Sequence, residues 1–163
     1  ELQDGGKLAY VLGGAPESRW VFAGSGAYGF ISPLDNLVAR NRTGKTFLTV
    51  DEGEVPVAPQ KVEGTELAVL TSKGRLLVFP LADLRELGKG KGLQMLKLEA
   101  GDALTAVRCG DFAQIQIVDP KGKVRKLEGA TLESARGKRA SKGLQLPARQ
   151  AVFGELVNRE TAA

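Results

Sequence analysis

A shift of 48 residues overlays this 163-residue chain on itself, and no other feature limits its fold so tightly. Gly26 falls on Gly74 and then on Gly122. The run Thr43-Gly44-Lys45-Thr46-Phe47-Leu48-Thr49-Val50 falls on Lys91-Gly92-Leu93-Gln94-Met95-Leu96-Lys97-Leu98, and Lys142-Gly143-Leu144-Gln145-Leu146 lies a slightly longer step beyond. A period of this size belongs to blades or a solenoid, in which neighbouring units cover each other's apolar faces, and not to a fold built around one catalytic pocket.

The units share an internal order. An apolar run (Trp20-Val21-Phe22-Ala23, Leu67-Ala68-Val69-Leu70, Ile115-Gln116-Ile117-Val118) precedes a Gly-centred turn and a second run (Tyr28-Gly29-Phe30-Ile31, Arg75-Leu76-Leu77-Val78-Phe79, Lys123-Val124-Arg125-Lys126-Leu127). Short runs rich in Val, Ile, Leu and Phe, bounded by Gly, Asp and Pro, are strand signals, and the tight turn makes each pair a hairpin. Polar connections follow, from Asp35 to Thr43, Asp83 to Lys91 and Thr131 to Lys142, and then a third run. Asp35-Asn36-Leu37-Val38 and Leu81-Ala82-Asp83-Leu84 have room for a helical turn but not for a stable helix. The expected fold is therefore all-β: about three four-stranded antiparallel blades, with repeat units at about 20–66, 67–113 and 114–157. The chain opens at Glu1 and not at Met. That start predicts a piece of a larger protein with an incomplete first blade. Residues 158–163 read as a loose tail after a returning strand at Phe153-Gly154-Glu155-Leu156-Val157.

The net charge of +4 conceals a division. Residues 1–120 hold 13 basic and 15 acidic side chains, whereas 121–142 hold eight basic ones (Lys121, Lys123, Arg125, Lys126, Arg136, Lys138, Arg139, Lys142) against Glu128 and Glu133. Weaker basic clusters recur at Arg40, Arg42 and Lys45 and at Lys89 and Lys91, while acids gather on other connections at Asp51, Glu52, Glu54, Glu63, Glu66, Glu99 and Asp102. If the blades repeat, one rim is cationic and the opposite end anionic. A cationic stripe at blade spacing suits a long polyanion, because each Lys or Arg that meets a phosphate releases counterions without base-specific geometry. Aromatic residues that would stack on single-stranded bases are sparse, and Phe30, Phe47, Phe79, Tyr28 and Trp20 read as core, so a duplex is the expected ligand.

Other chemistries find little footing. The chain has no His and a single Cys109, which removes the commonest general base, the commonest metal ligand, thiolate metal cages and internal disulfides; Cys109 reads as a buried spectator. Gly24-Ser25-Gly26-Ala27-Tyr28-Gly29 contains Gly-x-Gly-x-x-Gly. It joins two strands, however, and a dinucleotide site needs it between a strand and a helix. Asp51 with Glu54 would suit a small hydrolytic barrel, but paired carboxylates on a turn are ordinarily solvated. No run approaches the 18 apolar residues of a membrane span, and no leader pattern opens the chain.

Ala27-Tyr28-Gly29-Phe30-Ile31, the stretch Asp35-Asn36-Leu37-Val38-Ala39-Arg40-Asn41-Arg42-Thr43-Gly44-Lys45, and Gly74-Arg75-Leu76-Leu77-Val78-Phe79-Pro80 followed by Leu87-Gly88-Lys89-Gly90-Lys91-Gly92 closely resemble the carboxy-terminal domain of the A-type subunit of bacterial DNA topoisomerase IV. The resemblance runs from about Trp20 to Leu146. The related tail of gyrase A carries a Gln-Arg-Arg-Gly-Gly-Lys-Gly box that is absent from this sequence. The resemblance implies a β-pinwheel that holds and bends duplex DNA on its basic outer rim, assisting strand passage, decatenation and supercoil relaxation. The implied DNA-binding residues are Arg40, Arg42, Lys45, Arg75, Lys89, Lys91, Lys123, Lys138, Arg139 and Lys142. It further implies that the breakage nucleophile, ATP and Mg2+ are used elsewhere in an A2B2 assembly with the B-type subunit, and that neither Tyr10 nor Tyr28 is that nucleophile. No cofactor, metal or small-molecule substrate is expected in this segment. The implied setting is the cytoplasm and nucleoid; peripheral contact of the family with the inner membrane has no signal in these residues. The rival expectation is a protein-interaction propeller that docks other subunits without touching DNA.

Overall fold

A computed structural model describes residues 7–41 and 44–160. The chain runs β1 (Arg19–Ala23), β2 (Tyr28–Pro33), a 3-10 turn (Leu34–Leu37), β3 (Gln60–Lys61), β4 (Glu66–Thr71), β5 (Arg75–Pro80), a second 3-10 turn (Leu81–Asp83), β6 (Leu93–Gln94), β7 (Leu104–Gly110), β8 (Phe112–Val118), β9 (Val124–Glu128), α1 (Gly129–Ala135), β10 (Leu144–Gln145) and β11 (Val152–Asn158). The strands form three antiparallel sheets, ordered β3-β1-β2-β6, β7-β4-β5-β10 and β11-β8-β9.

The sheets do not coincide with the repeat units, because the outer strand of each hairpin comes from the unit that follows. β6 pairs with β2 through Tyr28↔Gln94 and Gly29↔Leu93, and β10 pairs with β5 through Leu144↔Leu76 and Gln145↔Arg75. The three-stranded sheet is therefore the last and not, as the start at Glu1 predicted, the first: among the described residues no strand pairs with the outer edge of β9. The exchange needs glycine just ahead of the donated strand. Gly92 has φ +86°, and a Cβ there would lie 1.9 Å from the Gly29 carbonyl oxygen.

The middle hairpin is apolar on both faces because it has a neighbour on both sides. Leu67, Val69, Leu77 and Phe79 pack with Val21, Ala23 and Ile31 of the first sheet. Ala68, Leu70, Leu76 and Val78 pack with Ile115, Ile117 and Leu127 of the third. At about 1.5–3 kcal/mol for each fully buried large aliphatic side chain, these two interfaces dominate the stability of the stack. In the third sheet the described residues cover one face: Leu127 is buried, while Val124, Lys126 and Glu128 are exposed. The first sheet closes its far face with Phe22, Phe30 and Phe47, the last with its ring centroid 4.7 and 5.3 Å from the other two. Phe30 and Phe79 are core residues as expected, whereas Trp20, Tyr28 and Phe47 are only partly covered.

The hydrogen bonds correct the sequence register by one residue. Gly74 and Gly122 close their turns with N–H bonds to Thr71 and Asp119, and in the first hairpin the matching bond runs from Ala27 to Gly24. Ala27 also shares their positive φ, 66° against 87° and 85°. The Gly26-to-Gly74 match is a slip that an alanine in a left-handed conformation conceals.

Two further differences concern connections. The polar stretch after β9 contains a true helix, α1, anchored by buried Leu132 and Ala135. Asn158 and Arg159, expected to begin a loose tail, are held: Asn158 ends β11, and Arg159 donates its backbone N–H to Asp111 and its guanidinium to Glu66.

Candidate nucleic-acid interface

β7 lies beside both β3 and β11, which puts those three strands on the inner side of the stack and β6, β10 and β9 on the outer side. Each blade thus presents an outer edge, a hairpin-turn end and an end where the short helical turns sit. The ends are chemically distinct. At the helical end, the first and second blades are tied by Arg19 and Glu86 at 3.5 Å, and the second and third by Arg136 and Glu66 at 2.8 Å. Ile31 bridges Glu86 as Val78 bridges Arg136, so the two ion pairs occupy equivalent places with the charges exchanged.

Most of the expected site residues lie along the outer edge and the turn end, in different electrostatic states, while Arg40 and Lys45 stand beside the first 3-10 turn. Lys89, Lys138 and Lys142 are exposed on the segments leading into β6 and β10, and Lys123 is exposed at the start of β9. Lys89 and Lys138 have no side-chain partner among the described residues. Arg139 is half-buried and donates to the Gln94 carbonyl at 2.7 Å, which fastens β6 to the segment before β10. Lys91 donates to Asp51 at 2.6 Å and sits 4.4 Å from the centroid of the Tyr28 ring; the Asp51 hydrogen bond raises its ammonium above the ordinary value. Arg75 pairs with Glu99 and reaches the Gly143 carbonyl, and its guanidinium holds the Glu99 carboxyl below the usual carboxylate range. Arg40 and Lys45 border an open cavity of about 760 Å³ with Asp35 and Asn36, and Lys45 donates to the Asn36 carbonyl. Arg42 lies outside the described residues.

This arrangement overturns the expected division into a cationic rim and an anionic opposite end. Asp51, Glu54, Glu99 and Asp102 share the turn end with the cations: in the hairpin turns Ser25 exchanges hydrogen bonds with Val55, and Ser72 donates its N–H to the Ala103 carbonyl, both partners lying on the connections that carry those acids. Asp51 is exposed and Glu54 half-buried on an open turn. Glu54 Oε2 accepts the Asp51 N–H at 3.1 Å, an ordinary turn contact. Lys73 joins these cations at the turn end although the expected site residues omit it; it precedes Gly74 as Lys121 precedes Gly122, and its ammonium donates to the Ala100 carbonyl at 2.6 Å. Arg136 belongs to the basic run in sequence, but in the fold its charge is spent on Glu66, Glu133 and the Phe112 carbonyl. Cys109 is half-buried against the first core, and burial pushes its thiol up to about 11.

Antiparallel blades stacked face to face and stitched by exchanged outer strands define a propeller of the pinwheel type. The chain belongs to the family described as DNA gyrase C-terminal domain, beta-propeller, whose model matches residues 19–58 and 65–111. The A-type subunit of DNA topoisomerase 4 from Neisseria gonorrhoeae is 36% identical over 158 residues, covering 90% of this chain and 20% of that protein. Its namesake from Escherichia coli K12 is 30% identical over 152 residues, covering 87% of this chain and 20% of that protein. This chain therefore spans about a fifth of the length of the relatives it matches. Among solved structures, the E. coli ParC C-terminal domain superposes with a TM-score of 0.88 at 26% identity, covering 97% of this chain and 68% of that one. A DNA gyrase A C-terminal domain superposes at 0.70 with 14% identity over 90% of this chain and 50% of that one, a likeness of fold. Among the described residues no helix is long and apolar enough to cross a membrane.

Proposed function

We propose that this domain is the non-catalytic duplex-binding and duplex-bending element of the A-type subunit of a type II DNA topoisomerase. In this reading it presents a DNA segment to a breakage core elsewhere in the parent enzyme, for ATP-dependent strand passage, decatenation and relaxation. The observation that carries the reading is the succession of exposed cations on consecutive outer edges: Lys89 on the first blade, Lys138 and Lys142 on the second, Lys121 and Lys123 on the third. An edge of this kind contacts phosphates and not bases, so affinity follows charge and DNA shape more than sequence. The absence of the gyrase box fits a modest bend over a tight chiral wrap. Partners in this reading are double-stranded DNA, the remainder of the A-type polypeptide, and the B-type polypeptide in an A2B2 assembly in the cytoplasm and nucleoid. ATP and Mg2+ act elsewhere, and the domain is assigned no cofactor of its own.

The test is fluorescence anisotropy of a labelled duplex of about 40 base pairs across 50–300 mM salt, with wild type and with Lys89, Lys138 and Lys142 changed to Glu. Binding that weakens steeply with salt, and a slope flattened by about 0.9 per phosphate contact removed, is the expected result. Binding that is absent, or unaffected by both salt and substitution, rejects the rim and favours a protein-docking propeller.

A further inference from the structure

In the first two blades the connection that leads into the inner strand packs on that blade's hairpin turn, whereas the third blade's connection meets the turn of the second through the Gln150 N–H on the Ser72 carbonyl, and the acidity of these connections falls from blade to blade. In the first blade the connection carries Asp51, Glu52 and Glu54; in the second, Glu99 and Asp102; in the third it is shorter, Pro147-Ala148-Arg149-Gln150, with no acid. Two of these acids stand one repeat apart and each holds a rim cation: Asp51 holds Lys91 and Glu99 holds Arg75. Lys142 and Lys73 also act on Glu99 through space. On the third blade the acid of the turn is Asp119, whose Oδ1 already accepts the backbone N–H groups of Lys121 and Lys123, and among the described residues no side-chain ion pair forms there.

We propose that Asp51 and Glu99 are built-in counterions that occupy part of the rim until nucleic-acid phosphates displace them, so that the first two blades hold a duplex less tightly than their number of cations implies. The inference rests on the DNA-binding reading given above. Its physical basis is that each pair has its carboxylate open to solvent, at 61% exposure for Asp51 and 40% for Glu99, against cations that are half-buried at 34% for Lys91 and 19% for Arg75. Pairs of this kind are weak enough to be replaced by a phosphate bearing a full charge. The carboxylates therefore do not block the rim. They lower its affinity on the first two blades, where Lys89, Lys138 and Lys142 stay unpaired among the described residues, while the third blade presents Lys121 and Lys123 with no such counterion. Tyr28, whose ring lies beneath the Lys91 ammonium, keeps that charge on the surface when Asp51 lets go.

The experiment compares duplex binding by wild type, Asp51→Asn, Glu99→Gln and Asp83→Asn. Asp83, on the second 3-10 turn at the opposite end, is exposed, and its loss changes the net charge equally. Each rim variant should tighten binding about three- to fivefold, the scale of one exposed ion pair, and steepen the salt slope by about 0.9; Asp83→Asn should do neither. Lys91→Ala should cost less than Lys123→Ala in wild type and as much as Lys123→Ala when Asp51 is Asn. Rim variants that match Asp83→Asn, or an Asp51→Asn gain that survives loss of Lys91, overturn the inference while leaving DNA binding intact. Failure of wild type and every variant to bind at 50 mM salt instead overturns the DNA-binding reading and this inference with it.

Discussion

Glu66→Ala should be among the most damaging single changes at a charged position, and the equivalent change in the neighbouring blade should be nearly silent. The Glu66 carboxylate receives Arg136 Nε at 2.8 Å and Nη2 at 3.3 Å, Arg159 Nη2 at 3.0 Å and the Phe112 backbone N–H at 3.0 Å. Its side chain is 13% exposed and that of Arg136 is 22% exposed. Removing one partner of a fully buried pair costs about 3–5 kcal/mol, because the other charge stays desolvated; the residual exposure here brings the expectation to about 2–3 kcal/mol. For a domain of this size that is a fall in Tm of about 5–10 °C. Arg19 and Glu86 make the corresponding tie one blade earlier at 3.5 Å, with exposures of 51% and 52%. Arg19→Ala should therefore shift stability by no more than about 0.5 kcal/mol. Thermal and urea unfolding of the two variants decides the matter. Equal losses in both, or a Glu66→Ala loss below about 1 kcal/mol, would refute the argument that burial of the junction between the second and third blades gives this pair its weight.

Gly92→Ala should cost more than about 2 kcal/mol in urea unfolding, since the new Cβ would sit 1.9 Å from the Gly29 carbonyl oxygen at φ +86°. Gly122→Ala, at φ +85° in open space, should cost only about 1 kcal/mol; similar losses would rule out backbone crowding as the cause. Burial works against ionisation of Asp102, but hydrogen bonds from Thr71, Ser72 and the Lys73 and Ala103 backbone outweigh it and leave the carboxyl below its ordinary 3.8. A depressed folded value means that the stabilisation is complete above that ordinary value and is lost as pH falls through the folded one. Wild-type Tm should accordingly drop between about pH 5 and 3 more steeply than that of Asp102→Asn, and parallel curves would show that Asp102 contributes nothing.

Much of the architecture can be read from the repeat. Runs such as Leu67-Ala68-Val69-Leu70 and Arg75-Leu76-Leu77-Val78-Phe79 are apolar at successive positions, which a strand tolerates only when sheets cover both its faces, so stacked blades follow from local pattern alone. The clustered lysines beside glycines likewise mark surface turns and an exposed edge. Pairing partners are another matter. That Leu93-Gln94 completes the preceding hairpin and not its own depends on two segments far apart in sequence meeting at Gly29, and no short-range signal carries that. Ala27 stands in for a turn glycine because the surrounding hydrogen bonds hold it at positive φ, a constraint invisible to residue type.

How many cations the rim has, and roughly where along the chain they fall, is plain from residue order alone; which of them stay unpaired is settled only when the chain folds. Lys91, Arg75 and Arg136 look like Lys89, Lys138 and Lys123 on paper. Folding brings Asp51, Glu99 and Glu66 beside the first three and, among the described residues, leaves no side-chain carboxylate paired with the others. The reason is the range of the forces: hydrophobic period and turn chemistry act within a few residues, whereas a charge is neutralised by whatever carboxylate the chain returns to within a few ångströms, here 24, 40 and 70 residues away.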